Sequence, residues 1–161
     1  YSIRVFSNGA VSANKTVNLS GDIAAKSVLV LVDTSSVQEL KDKQTSASLN
    51  LGSGNFNGDD AVALYKDNTL IDVIGQIGFD PGTTWGSGDV QTLNKTLVRK
   101  PAVTQGDTDS SNAFDPTAQW LGFAENTFSN LGFHDMDGNG GGTDPEPDPE
   151  PTPDPVIGNC G

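Results

Sequence analysis

The chain has 161 residues, 34% of them hydrophobic, and 21 acids against nine bases give a formal net charge of −12. That imbalance argues against non-specific nucleic-acid binding, which depends on Lys and Arg displacing counterions from phosphates. The longest apolar run, Val28-Leu29-Val30-Leu31-Val32, is strand-sized and far short of a membrane span, so no membrane insertion is expected.

The charge also divides the chain. Beyond His134 there are seven acids and no base, whereas the first 134 residues hold fourteen acids and nine bases, a balance of −5. This body, residues 1–134, is long enough for one hydrophobic core. Tyr1 to Phe6 alternates with period two and predicts a half-buried strand. Thr16 to Leu19 predicts a second short strand, ending at Ser20-Gly21-Asp22. Val28 to Asp33, apolar almost throughout, predicts a central strand covered on both faces. Ser35 to Lys41 is the one plausible helical turn, capped by Ser. Ser46 to Leu51 alternates weakly as another strand.

Ala61–Lys66 and Leu70–Gly75 predict a β-hairpin across Lys66-Asp67-Asn68-Thr69, where Asp and Asn suit a tight turn. Thr96 to Arg99 predicts a strand stopped by Pro101. Phe114-Asp115-Pro116 opens a bend toward Trp120, assigned to the core, and Phe128 to Phe133 closes the domain. Six or more short strands with little helix predict an all-β, two-sheet β-sandwich.

The tail is simpler. Residues 135–155 are an acidic Gly/Pro-rich stretch in which Asp144 to Pro151 alternates acid with proline, the pattern of a disordered, extended linker. Residues 156–161 read as the start of a following domain. The single Cys160 cannot form a bridge within the chain; it is either a free thiol or half of a disulfide with a partner further on.

Several groups are candidates for chemistry. Asp135, Asp137, Asn139 and Glu146 match the oxygen-ligand spacing of a Ca2+ loop, with Gly138 and Gly140 for the turn. No helix pattern flanks them, which favours a flexible acidic linker. Asp107-Thr108-Asp109 with Asp115, and Asp59-Asp60, are further acidic loops that turn hydrogen bonding at a solvated surface also explains. Trp85 sits among glycines, either free to stack on a base or sugar or folded back to cap the open end of the sandwich. His134 lacks the rigid carboxylate and nucleophile partners of a triad, and one His with one Cys makes no zinc set. Asn14, Asn18 and Asn94 begin glycosylation sequons of the kind that chance supplies in such a composition.

Asn57-Gly58-Asp59-Asp60-Ala61-Val62-Ala63-Leu64-Tyr65, Ile71-Asp72-Val73-Ile74-Gly75, Asp80-Pro81-Gly82, Trp85-Gly86 and Thr96-Leu97-Val98-Arg99-Lys100 occur in one order, followed by Phe114-Asp115-Pro116 and Trp120. Taken together, this string over residues 1–134 resembles the lamin-tail domain of bacterial secreted nucleases. The resemblance implies an immunoglobulin-like β-sandwich, extracellular and bacterial. It also implies an accessory role N-terminal to an oligonucleotide-binding barrel and a catalytic domain of the endonuclease/exonuclease/phosphatase type. That catalytic domain would use Mg2+, Mn2+ or Ca2+; the chain itself would be non-catalytic and hold no cofactor other than Ca2+ at an acidic loop. Expected partners are the downstream domains and a protein or cell-surface ligand, with direct DNA binding, Ca2+-assisted, as the alternative. An initial Ile-Asn-Glu-Ile-type strand common in the family has no counterpart here, so the first sheet is expected to lack an edge.

Overall fold

The computed structural model describes residues 1–25, 27–45 and 56–134. Its largest unit is an antiparallel sheet of order β2-β1-β3-β4, formed by β1 (Ser2–Phe6), β2 (Lys15–Asn18), β3 (Ala61–Lys66) and β4 (Thr69–Ile74). Asp67 turns the β3–β4 hairpin at φ 55°, a left-handed conformation that short polar side chains tolerate. Opposite Leu64 and Tyr65 stand Asp72 and Leu70, so Ile71 is an extra residue and the ladder carries a bulge.

The bulge has a consequence for placement. Val73 pairs with Ala63 and faces the main core, while Asp72 pairs with Leu64 and faces the other way. On the core side Phe6, Ala61, Ala63 and Val73 gather around Trp85, with Tyr65, Leu70, Ile77 and Phe114 at the margin. Two alanines in β3 leave room for the indole. Gly75, at φ +88°, passes so close that a Cβ there would stand 2.9 Å from the Trp85 ring.

Two smaller sheets complete the strands. β5 (Gly86–Ser87) pairs with β6 (Val90–Gln91), and β7 (Thr96–Arg99) with β8 (Trp120–Phe123). Two one-turn helices are present, α1 (Gln38–Lys41) and α2 (Pro116–Gln119). Asp115 caps α2, accepting from the Thr117 N–H at 2.9 Å, and Pro116 occupies the first helical position.

The expected all-β, immunoglobulin-like sandwich is therefore corrected: this is a small mixed α/β domain with three separate small sheets and two short helices. The reasons are local. Val28 to Val32 forms no ladder; only Asp33 makes an isolated bridge, and the Val30 N–H donates to the Thr45 hydroxyl at 3.1 Å. Val30 and Val32 are buried while Leu29 and Leu31, on the alternate positions, are only half-buried, so one side of this run is covered and not two. The Asp115-Pro116 bend is a helix start, because Asp at the cap and Pro at the first position are both suited to that end. Phe128 to Phe133 runs in turns, the Leu131 N–H donating to the Phe128 carbonyl. The α1 turn is present, but Val37 precedes it without a side-chain cap, and Ser35 instead bonds back to Asp33. The expected strand over 46–51, the linker 135–155 and residues 156–161 lie outside the described residues.

Candidate functional site

An open cleft of about 610 Å³ lies between β7, the Val28–Leu31 run and the turns of residues 127–134. That volume is within the range of ligand pockets, which are mostly apolar with a few placed polar groups. Leu31, Leu40, Leu97, Val103, Phe128 and Leu131 supply apolar wall. Arg99 enters from the end of β7, and His134 closes one side with its Nε2 2.9 Å from the Val103 carbonyl.

Arg99 is fixed from two sides. Its Nη1 and Nη2 donate to the two Asp72 oxygens at 2.5 and 3.0 Å, a bidentate pair. Its guanidinium lies 4.5 Å from the centroid of Trp120, its partner across the β7–β8 ladder. Asp72 also accepts from the Asp107 N–H at 2.7 Å. This one carboxylate thus ties the β7–β8 sheet and the 103–107 loop to β4. Gly106 permits the approach, since a Cβ there would stand 2.3 Å from the Ile71 carbonyl. Both the Arg99 Nε–H and the Trp120 Nε1–H are buried without a hydrogen-bond acceptor.

Trp85 is placed elsewhere. It is 5% exposed and meets Phe114 edge to face, centroids 5.9 Å apart, so its ring faces the core and not solvent. Thr92 holds its backbone: the hydroxyl oxygen accepts from the Trp85 N–H at 3.0 Å and the hydroxyl donates to the Gly58 carbonyl. A smaller cavity of about 240 Å³, bordered by Trp85, Asp60, Thr92 and Lys95, adjoins this hub.

The acidic loops are held by their own turns. Asp109 accepts from the Ser111 hydroxyl and N–H, and Asp115 from those of Thr117. In each case the hydroxyl contact, then the backbone one, holds the carboxyl below the usual range. Asp60 accepts from the Asn8 N–H at 3.0 Å. Asp59, expected at a wet surface, is only 7% exposed, and its Oδ1 has no partner. Among the described residues no group of three or more His, Cys, Asp or Glu converges as a metal set. The expected Ca2+ ligands Asp135, Asp137, Asn139 and Glu146 lie outside the described residues, as does Cys160.

The cleft and its Asp72–Arg99 pair were not singled out by sequence reasoning. A signal existed: one acid within Leu70-Ile71-Asp72-Val73-Ile74 and one base ending Thr96-Leu97-Val98-Arg99 are charges in otherwise apolar strands, which calls for a partner. The leucines and phenylalanines of the cleft carry no such mark, because a wall residue and a core residue look alike in sequence.

Among the described residues, no helix is long and apolar enough to cross a membrane. Comparison with family models, curated proteins and solved structures yields no match, so the lamin-tail and nuclease resemblance has no counterpart there and the immunoglobulin-like sandwich is set aside.

Proposed function

We propose that this chain is a non-catalytic interaction module that places a larger secreted enzyme through contacts with a protein, a cell surface or a neighbouring domain. The observation that carries this reading is the use of the bases. Arg99 is bound by Asp72, and Arg4 lies 4.1 Å from the Tyr65 centroid while donating to the Asp67 carbonyl at 2.7 Å. Lys95 pairs with Asp89 at 2.9 Å, and Lys100 donates to the Thr117 carbonyl at 2.7 Å. A DNA-contacting surface needs such groups turned toward phosphates. The carboxylates of Asp80, Asp109 and Asp115 accept from the backbone of their own turns and are exposed, leaving negative charge outward.

A place beside a metal-dependent nuclease domain in a bacterial extracellular protein is supported by the ordered motifs from Asn57 to Trp120. A mobility-shift titration of the chain against duplex and single-stranded DNA, at low ionic strength and with and without Ca2+, tests the reading. No retarded complex is expected. A complex that weakens steeply with salt would establish direct DNA binding instead, and hydrolysis of DNA by the purified chain would end the non-catalytic assignment.

A further inference from the structure

We infer that the cleft along β7 is a strand-acceptor site, which pairs the free edge of β7 with an extended, uncharged, apolar segment of a partner protein. The inference rests on the interaction-module reading and adds a location and a ligand class to it.

The argument begins with ladder parity. The Lys100 N–H donates to the Gln119 carbonyl at 2.8 Å, and that pair continues the register Arg99 to Trp120, Val98 to Leu121, Leu97 to Gly122 and Thr96 to Phe123. In an antiparallel ladder, hydrogen-bonded and non-hydrogen-bonded pairs alternate. Lys100, Val98 and Thr96 therefore bond toward β8, and the N–H and C=O groups of Leu97 and Arg99 point away from it. Among the described residues the sheet has two strands, and no strand continues it on that side.

All four residues of β7 line the cleft. Successive side chains of a strand project to opposite faces, so a cavity touched by four in a row lies along the strand's edge. The cleft is thus bounded by an edge with two donors and two acceptors directed outward, a template for a further strand. Four residues of edge are roughly 13 Å long, enough for a segment of similar length.

The walls select the chemistry. Leu31, Val103, Phe128 and Leu131 offer apolar surface to the side chains of an added strand. Arg99 is the one Lys, Arg, Asp or Glu among the described lining residues, and Asp72 already neutralises it. A basic segment would find no free carboxylate among the described lining residues, and an acidic one would be repelled by a body of net charge −5. An uncharged strand with alternating apolar residues meets both the backbone edge and the walls.

The test uses the 15N-labelled chain and the peptide acetyl-Thr-Val-Thr-Val-Thr-Val-Thr-amide, titrated to about 1 mM. Its fully N-methylated analogue has the same side chains and no backbone donors. The Leu97 and Arg99 amide signals are expected to shift, with their hydrogen exchange slowed roughly tenfold at saturation, and the methylated peptide to bind at least about tenfold more weakly. Leu131→Asp and Val28→Asp, at rim positions 37% and 36% exposed, should weaken binding by a similar factor, whereas Val11→Asp, 79% exposed outside the cleft, should not. Circular dichroism confirms that each variant is folded. Unmoved Leu97 and Arg99 amides, or equal binding of the methylated peptide, would overturn the inference. So would a dimer in light scattering with these amides protected before any peptide is added, which assigns the edge to a second copy. Peptide shifts confined to another edge would remove this site and leave the interaction-module reading standing; that reading falls by DNA binding or hydrolysis.

Discussion

Replacing Asp72 by Asn removes the charge opposite Arg99 while keeping an oxygen that can accept from the Asp107 N–H. The Arg99 and Asp72 side chains are 16% and 30% exposed, so the pair lies between an open surface bridge and a fully buried one. Surface pairs contribute about 0–1 kcal/mol, and breaking a buried pair costs about 3–5 kcal/mol, so a loss of roughly 2 kcal/mol is expected. Arg99→Met loses the same pair and its stacking on Trp120, for roughly 2–3 kcal/mol in all. With both partners replaced no charge is stranded, and the double variant should be less destabilised than the sum of the singles by about 1–2 kcal/mol. Urea unfolding at fixed pH measures all four proteins, with an unchanged slope m as the check that only stability has moved. In a body of this size 2 kcal/mol corresponds to a fall in Tm of roughly 6–8 °C. Additivity to within about 0.3 kcal/mol would refute the reasoning, since the carboxylate and guanidinium would then not act as a pair.

Other consequences follow from single contacts. In Gly122→Ala the new Cβ would stand 1.8 Å from the Asp89 carbonyl oxygen, so β6 and β8 must separate; a loss of more than about 2 kcal/mol is expected, and a neutral effect in denaturant unfolding would contradict that packing. Thr92→Val keeps the shape but leaves the Trp85 N–H without its acceptor, at a cost of about 1–3 kcal/mol; an unchanged urea midpoint would count against the hub. Asp115 is held below the usual carboxyl range by the Thr117 hydroxyl and N–H, so its contribution to folding is present above its unfolded value and is lost as pH falls through the folded one. Thr117→Val should move the Asp115 titration up toward the usual value in carbon-detected NMR and flatten the acid-side loss; an unmoved midpoint would mean the hydroxyl is not the principal cause.

Much of the four-stranded sheet is legible in the residues. Alternation in Tyr1 to Phe6 and the Asp67-Asn68 turn between two apolar runs act over neighbouring residues, and periodicity records that kind of local order. The same logic misled at Val28 to Val32. A run of five apolar residues predicts a central strand, yet strand status depends on a partner at the right distance, and no ladder forms there. Asp115-Pro116 is expected to open a bend, and it starts the helix α2 instead, with the Asp115 side chain capping the Thr117 N–H.

The candidate site divides the same way. Composition and spacing by themselves determined the acidic balance and the hairpin of Ala61 to Gly75; Asp72 and Arg99 stand there only as single charges in separate strands. Only tertiary structure decided that those two charges, 27 residues apart, are one pair. It also turned Trp85 inward against Phe114 and opened a cleft along β7. The physical reason is range. Backbone propensity and side-chain alternation are local, whereas pairing of charges, burial of an indole and exposure of a strand edge depend on which distant segments arrive beside them.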